Sequence, residues 1–132
     1  YIDSPLASKV TDVFRKHPEC YDEETFRTFT SEGDPFAARY IRYVSSVEES
    51  KRLNGIKGPC VIIASSGVCE GGRVVHHLKH AIQDEANVIA IVGFQAEHTL
   101  GRRLVEGWDV VPIYGIPTPR RAQVVVFKGC HA

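Results

Sequence analysis

Two short stretches hold most of the residues that could bind or transform a ligand. The first is Ser65-Ser66-Gly67-Val68-Cys69-Glu70-Gly71-Gly72-Arg73, which leads into Val74-Val75-His76-His77-Leu78-Lys79-His80. The second is Gly93-Phe94-Gln95-Ala96-Glu97-His98-Thr99-Leu100-Gly101-Arg102-Arg103. Each follows an apolar run of strand length and precedes a segment of helical period. In a parallel sheet such loops emerge at the carboxyl edge of the strands, where open α/β folds bind ligands. Hydroxyls, glycines and a helix N-terminus together offer outward-pointing N–H groups, a natural cradle for an anion. Arg73, Lys79, Arg102 and Arg103 would add full positive charges. The chemistry implied is the holding of a phosphate; a plain tight turn between strand and helix is the competing reading.

Other chemistries fit less well. His76 and His80 stand four apart on one helix face, a spacing that lets two imidazoles share a zinc ion. No glutamate lies between them as in H-E-x-x-H, no third ligand is evident, and Cys69 and His98 qualify by residue type alone. The expectation is that one of His76 and His77 packs against the sheet and the others are solvated. Ser65-Ser66-Gly67 is not the G-x-S-x-G of a nucleophile elbow. No G-x-G-x-x-G or Walker motif supports a nucleotide-binding domain. Glu19 to Glu24 reads as helix entry and a solvated face, Glu48-Glu49 as the first turn of a helix, and Trp108 as packing.

The elements that position the two loops alternate between strand and helix, the α/β signature. Ser4 caps a helix that begins at Pro5, turns Leu6, Val10, Val13 and Phe14 inward and stops before Pro18. Asp22 caps a second helix through about Ser31, which Gly33-Asp34-Pro35 breaks. Residues 40–44 read as a short strand, and Ser46 introduces a helix through Leu53. Cys60-Val61-Ile62-Ile63-Ala64 reads as a strand covered on both faces, with Cys60 a buried small hydrophobe. Helices over 72–83 and 99–106 and strands over 88–92, 109–114 and 122–127 follow, with Gly115-Ile116-Pro117-Thr118-Pro119 as a loop. The fold class predicted is α/β: a three-layer, mostly parallel sheet flanked by helices, Rossmann-like.

Composition bounds the function. The 132 residues carry 16 basic and 16 acidic side chains, so bulk electrostatics would not coat nucleic acid. No apolar run approaches the roughly 18–20 residues of a membrane span, and no signal-like leader is present, so a cytoplasmic protein is expected. The four cysteines form no C-x-x-C pair, and a disulfide framework is not expected. Methionine is absent, and Tyr1-Ile2 reads as a strand already in progress, which predicts a fragment.

Three segments make the sequence specific. They are Tyr1-Ile2-Asp3-Ser4-Pro5-Leu6-Ala7, the run from Ile62 to Arg73 with His76-His77-Leu78-Lys79-His80, and the run from Val92 to Arg103. In order and spacing they closely resemble β-CASP ribonucleases of the metallo-β-lactamase superfamily, nearest to bacterial and archaeal relatives of the cleavage-and-polyadenylation endonuclease. Val68 stands where that family usually has methionine, and His98 where it usually has glycine. The resemblance implies a parent enzyme with two zinc ions held by its metallo-β-lactamase domain, and RNA entering a cleft beneath the β-CASP cap.

The H-x-H-x-D-H ligand motif is missing here. Gly129-Cys130-His131-Ala132 matches only the start of the family's later G-F-S-A-H-A-D segment. The expectation is therefore residues 1–132 as a partial β-CASP domain, without the metallo-β-lactamase catalytic domain and without cofactor or metal ligands of its own. It would be the RNA-binding cap of a zinc-dependent ribonuclease and inactive alone. Ser65, Ser66, Gly67, Gly71, Gly72, Arg73, Lys79, Thr99 and Arg102 would line the RNA side, with the absent domain as a further partner. A free-standing module that oligomerises or binds a partner is the alternative; a sheet missing a strand would expose apolar surface and favour self-association.

Overall fold

The protein is seen in a computed structural model that describes residues 1–127. The C-terminal segment Gly129-Cys130-His131-Ala132 thus lies outside the described residues. The chain divides into two compact units, one of residues 1–52 with 56–63, the other of 53–55 with the residues from Ala64 on.

In the first unit, β1 (Ile2–Asp3) leads into α1 (Pro5–Lys16), followed by α2 (Glu23–Ser31) and α3 (Val47–Leu53). The helix starts are those the sequence predicts. Ser4 Oγ accepts from Ala7 N at 3.2 Å, and Asp22 Oδ1 from Thr25 N at 2.7 Å. Ser46 and Glu49 form a reciprocal capping box, with Glu49 N donating to Ser46 Oγ at 3.1 Å and Ser46 N to Glu49 Oε2 at 3.2 Å. Residues 40–44 do not form a strand; Tyr43 makes one isolated parallel bridge to Ile2.

The inward face expected of α1 is corrected. Leu6, Val10 and Val13 are all more than half exposed, and no residue of the helix is buried. The apolar stripe has the right spacing, but among the described residues no layer covers it. Phe14 instead joins an aromatic group, stacked on Tyr21 at 4.6 Å and edge-on to Phe36 at 5.6 Å. The run 60–64 also differs from expectation. Cys60 is exposed, Val61 and Ile63 are mostly exposed, and only Ile63–Ala64 forms a strand, β2. A two-residue ladder to β1 is too short to bury the run.

The second unit holds the hydrophobic core. It contains α4 (Arg73–Ala81), β3 (Val88–Ile91), α5 (Leu100–Val105), β4 (Val110–Ile113), β5 (Ile116–Pro119) and β6 (Gln123–Val126). β3 and β6 pair in parallel, with Ile89 beside Val124 and Ile91 beside Val126. Val75 and Leu78 of α4 and Leu100 and Leu104 of α5 pack with Ile89, Ile91, Val111 and Ile113 into one cluster. Burying each of these aliphatic side chains contributes roughly 1.5–3 kcal/mol.

The class is α/β, as predicted, with a further local departure. Residues 116–119, expected as a loop, form an antiparallel strand on β4. The turn is made by Tyr114 at φ 52° and Gly115 at φ 77°, the left-handed pair that matches strand twist in a two-residue hairpin. Pro117 and Pro119 disguise this strand, because proline cannot donate to a ladder and is tolerated only where that donor is not needed.

Candidate nucleic-acid interface

All nine candidate residues lie in the second unit, on two loops that hold one another. Three contacts join them. Gln95, buried to 6% exposure, donates from Nε2 to Gly67 O at 2.9 Å, and also to Gly93 O and Phe94 O at 3.2 Å. Gly101 N donates to Val68 O at 3.1 Å. The Glu70 carboxylate accepts from Leu100 N at the start of α5. A carboxylate there is favoured by the helix dipole as well as by the hydrogen bond.

These bonds close one helix end. Leu100 N is held by Glu70, Gly101 N by Val68 O, and Arg102 N by Thr99 Oγ1 at 3.2 Å. The Thr99 hydroxyl in turn donates to Ala96 O at 2.7 Å. Arg102 Nε donates to Glu106 Oε1 at 2.7 Å. Thr99 and Arg102 thus have protein partners for the groups that sequence reasoning offers to an anion.

The other loop is open. Within it Ser66 N donates to Gly71 O, Cys69 N to Ser66 O and Val74 N to Ser65 O, at 3.1–3.2 Å. The N–H groups of Gly67, Val68, Glu70, Gly71 and Gly72 donate to no acceptor among the described residues. Gly72, at φ 74°, is the N-cap of α4 and supplies no side-chain cap. The unpartnered N–H groups of Gly67 and Val68, and of Glu70, Gly71 and Gly72, precede a nine-residue helix whose dipole favours negative charge at that end. Ser65, Ser66, Gly71 and Arg73 beside it are partly exposed, and Gly67 and Gly72 are exposed. Lys79 is exposed in the last turn of α4, six residues and about 9 Å beyond Arg73 along the axis.

Cys69 is the one buried thiol of the loop, and burial, reinforced by the neighbouring Glu70, pushes its pKa up to about 11. It is a packing residue and carries no thiolate at neutral pH. Of the clustered histidines, His77 is buried with Nδ1 2.8 Å from Asn54 Oδ1. The rings of His76 and His80 meet edge to face, 4.9 Å between centroids. Among the described residues no group of three or more His, Cys, Asp or Glu side chains could hold a metal ion. Also among the described residues, no helix is long and apolar enough to cross a membrane.

Glu70, Gln95 and Gly101 are positions in the two loops whose tie sequence reasoning missed. A lone acid and a lone amide in glycine-bearing loops were the available signal, but their partners are 30 and 28 residues away.

Residues 1–104 match the Beta-Casp domain family. The chain belongs to the Beta-Casp family. Among known proteins, this Beta-Casp chain is 36% identical over 129 residues to a ribonuclease of Thermus thermophilus, covering 98% of the chain and 30% of that protein. It is 39% identical over 114 residues to the transcription termination factor FttA of Methanocaldococcus jannaschii, covering 86% of the chain and 18% of that protein. The FttA of Methanosarcina mazei is 32% identical over 116 residues, 87% of the chain and 18% of that protein. The Beta-Casp chain therefore spans less than a third of the length of each. His98 sits at φ 68°, a left-handed conformation that favours glycine and costs a side chain about 1–2 kcal/mol.

Proposed function

We propose that this Beta-Casp chain is the RNA-binding cap of a zinc-dependent ribonuclease of the metallo-β-lactamase fold, in which the metal centre is supplied by residues outside this chain. One observation carries the reading: the run of unpartnered N–H groups at Gly67, Val68, Glu70, Gly71 and Gly72. A phosphodiester oxygen accepts from such a run without any side chain and without reading base identity. Arg73 and Lys79 add positive charge on the same helix. The tie through Gln95 and Glu70 holds the second loop as a fixed wall beside this cradle. That a relative bears the name ribonuclease supports RNA as the ligand. Thr99 and Arg102 serve by shaping the wall, through the hydrogen bonds they already make.

Two glycines separate binding from folding. A Cβ at Gly67 or Gly71 would meet nothing within 4 Å, and neither residue has a positive φ. Gly67→Ala and Gly71→Ala should therefore leave stability within about 1 kcal/mol of the parent chain. A phosphate lying against the loop backbone would meet the new methyl. The double variant should lose roughly tenfold in affinity for a single-stranded RNA, measured by fluorescence anisotropy at one fixed salt concentration. A folded double variant that binds RNA as tightly as the parent would refute the cradle.

A further inference from the structure

Beyond the cradle, the outer face of α5 holds a pocket of about 240 Å³ lined by Glu97, His98, Arg102, Arg103, Glu106 and Trp108. One of its lining residues is an aromatic ring held in place. Trp108 Nε1 donates to Glu106 Oε2 at 3.2 Å, and Glu106 Oε1 is held by Arg102 at 2.7 Å. The bond from Arg102, together with the Trp108 donor, keeps the Glu106 carboxyl below its ordinary pKa, so it remains an ionised acceptor at neutral pH. The indole is nonetheless 48% exposed. The Arg103 guanidinium lies over its face, 5.3 Å from the ring centroid.

These features narrow the occupant. Two arginines face two glutamates, so the pocket has no net preference for an anion. Its rim is polar, which disfavours a purely aliphatic plug. A flat, exposed indole beside a planar cation suits a flat heteroaromatic ring, because every nucleobase has a π-face to stack. The exposed Glu97 carboxylate can accept from the amino group of adenine, guanine or cytosine, and His98 next to it in the chain also lines the pocket. His98 holds that place although its backbone is in the left-handed region, where a glycine would leave the wall open.

We propose that this pocket is a nucleobase subsite, in which one base of a single-stranded RNA stacks on Trp108 beside Arg103 while its polar edge meets Glu97 and His98. The inference rests on the reading that RNA is the ligand, and it adds a base contact to a site otherwise made of phosphate contacts. The subsite prefers purines, whose larger rings cover more of the indole.

Trp108 is the sole tryptophan of the 132 residues, so its emission reports on this pocket alone. A dye-labelled oligoadenylate is titrated into the chain while anisotropy and Trp108 emission are recorded together, and an abasic strand of equal length is titrated in parallel. Emission should be quenched in step with the anisotropy rise for oligoadenylate, and unquenched by the abasic strand. Trp108→Ala should weaken oligoadenylate binding roughly tenfold and leave the abasic strand unaffected, with Trp108→Phe restoring most of the loss. An anisotropy rise without quenching, or equal quenching by the abasic strand, overturns the subsite while leaving the phosphate cradle standing. If neither strand binds, the RNA reading itself fails. Adenosine monophosphate alone then decides: saturable quenching keeps a base site, and unchanged emission removes it.

Discussion

Gly101→Ala should lower the unfolding free energy of the second unit by about 3 kcal/mol, but by far less when it is made in a Gln95→Ala background. A Cβ on Gly101 would sit 1.6 Å from Gln95 Oε1, 2.8 Å from its Cδ and 3.0 Å from Val68 O. Gln95 has nowhere to retreat without giving up its hydrogen bonds to the carbonyls of Gly67, Gly93 and Phe94. Leaving the buried Gln95 amide without its partners costs about 1–3 kcal/mol, and forcing a methyl into a packed contact costs a similar amount. Shortening Gln95 removes the clash along with the bonds, so the two substitutions must be strongly non-additive. Urea unfolding followed by Trp108 emission reads the second unit directly. Additive losses would mean that the glycine matters for a reason other than Gln95.

Gly72→Ala should cost about as much, again near 3 kcal/mol, but by a different cause that no second substitution of a side chain relieves. Gly72 combines φ 74° with ψ −164°, a region that is essentially reserved for glycine. Its added Cβ would lie 2.7 Å from Ser65 O, a backbone atom that itself accepts from Val74 N. The strain and the collision both fall on the turn that opens α4. Amide hydrogen exchange in Val75 to Leu78 should therefore speed up far more than exchange in β3. Unchanged exchange in α4 would show that the turn tolerates a side chain. The four glycines thus divide by surroundings: Gly72 and Gly101 protect the fold, and Gly67 and Gly71 leave room for a ligand.

What the sequence made legible was local. Ser4, Asp22 and Ser46 were readable as helix starts because a cap depends on residues three or four apart. The β4–β5 hairpin was missed because its turn uses Tyr114, a residue that seldom takes a positive φ, and because two prolines hide the strand. Burial failed where periodicity was asked to name a partner: the Leu6, Val10, Val13 stripe is present, yet spacing cannot say what covers it. The same holds at the site. Both loops stood out by composition, but the bonds from Gln95 to Gly67 and from Glu70 to Leu100 link residues about 30 apart. Those bonds decide that the start of α5 is closed and the start of α4 open, a distinction on which Thr99 and Arg102 differ from Gly71 and Gly72. The family resemblance was legible because motif order and spacing survive even where single positions, such as His98, depart.

The most direct test of the phosphate cradle is a titration of the 15N-labelled chain with a short single-stranded RNA, followed by amide NMR shifts. The cradle predicts that the amides of Gly67, Val68, Glu70, Gly71 and Gly72 move furthest downfield as they gain an acceptor, while Leu100, Gly101 and Arg102, already bonded, move little. Shifts confined to residues 1–52, or saturating binding that leaves the 67–72 amides in place, would contradict it.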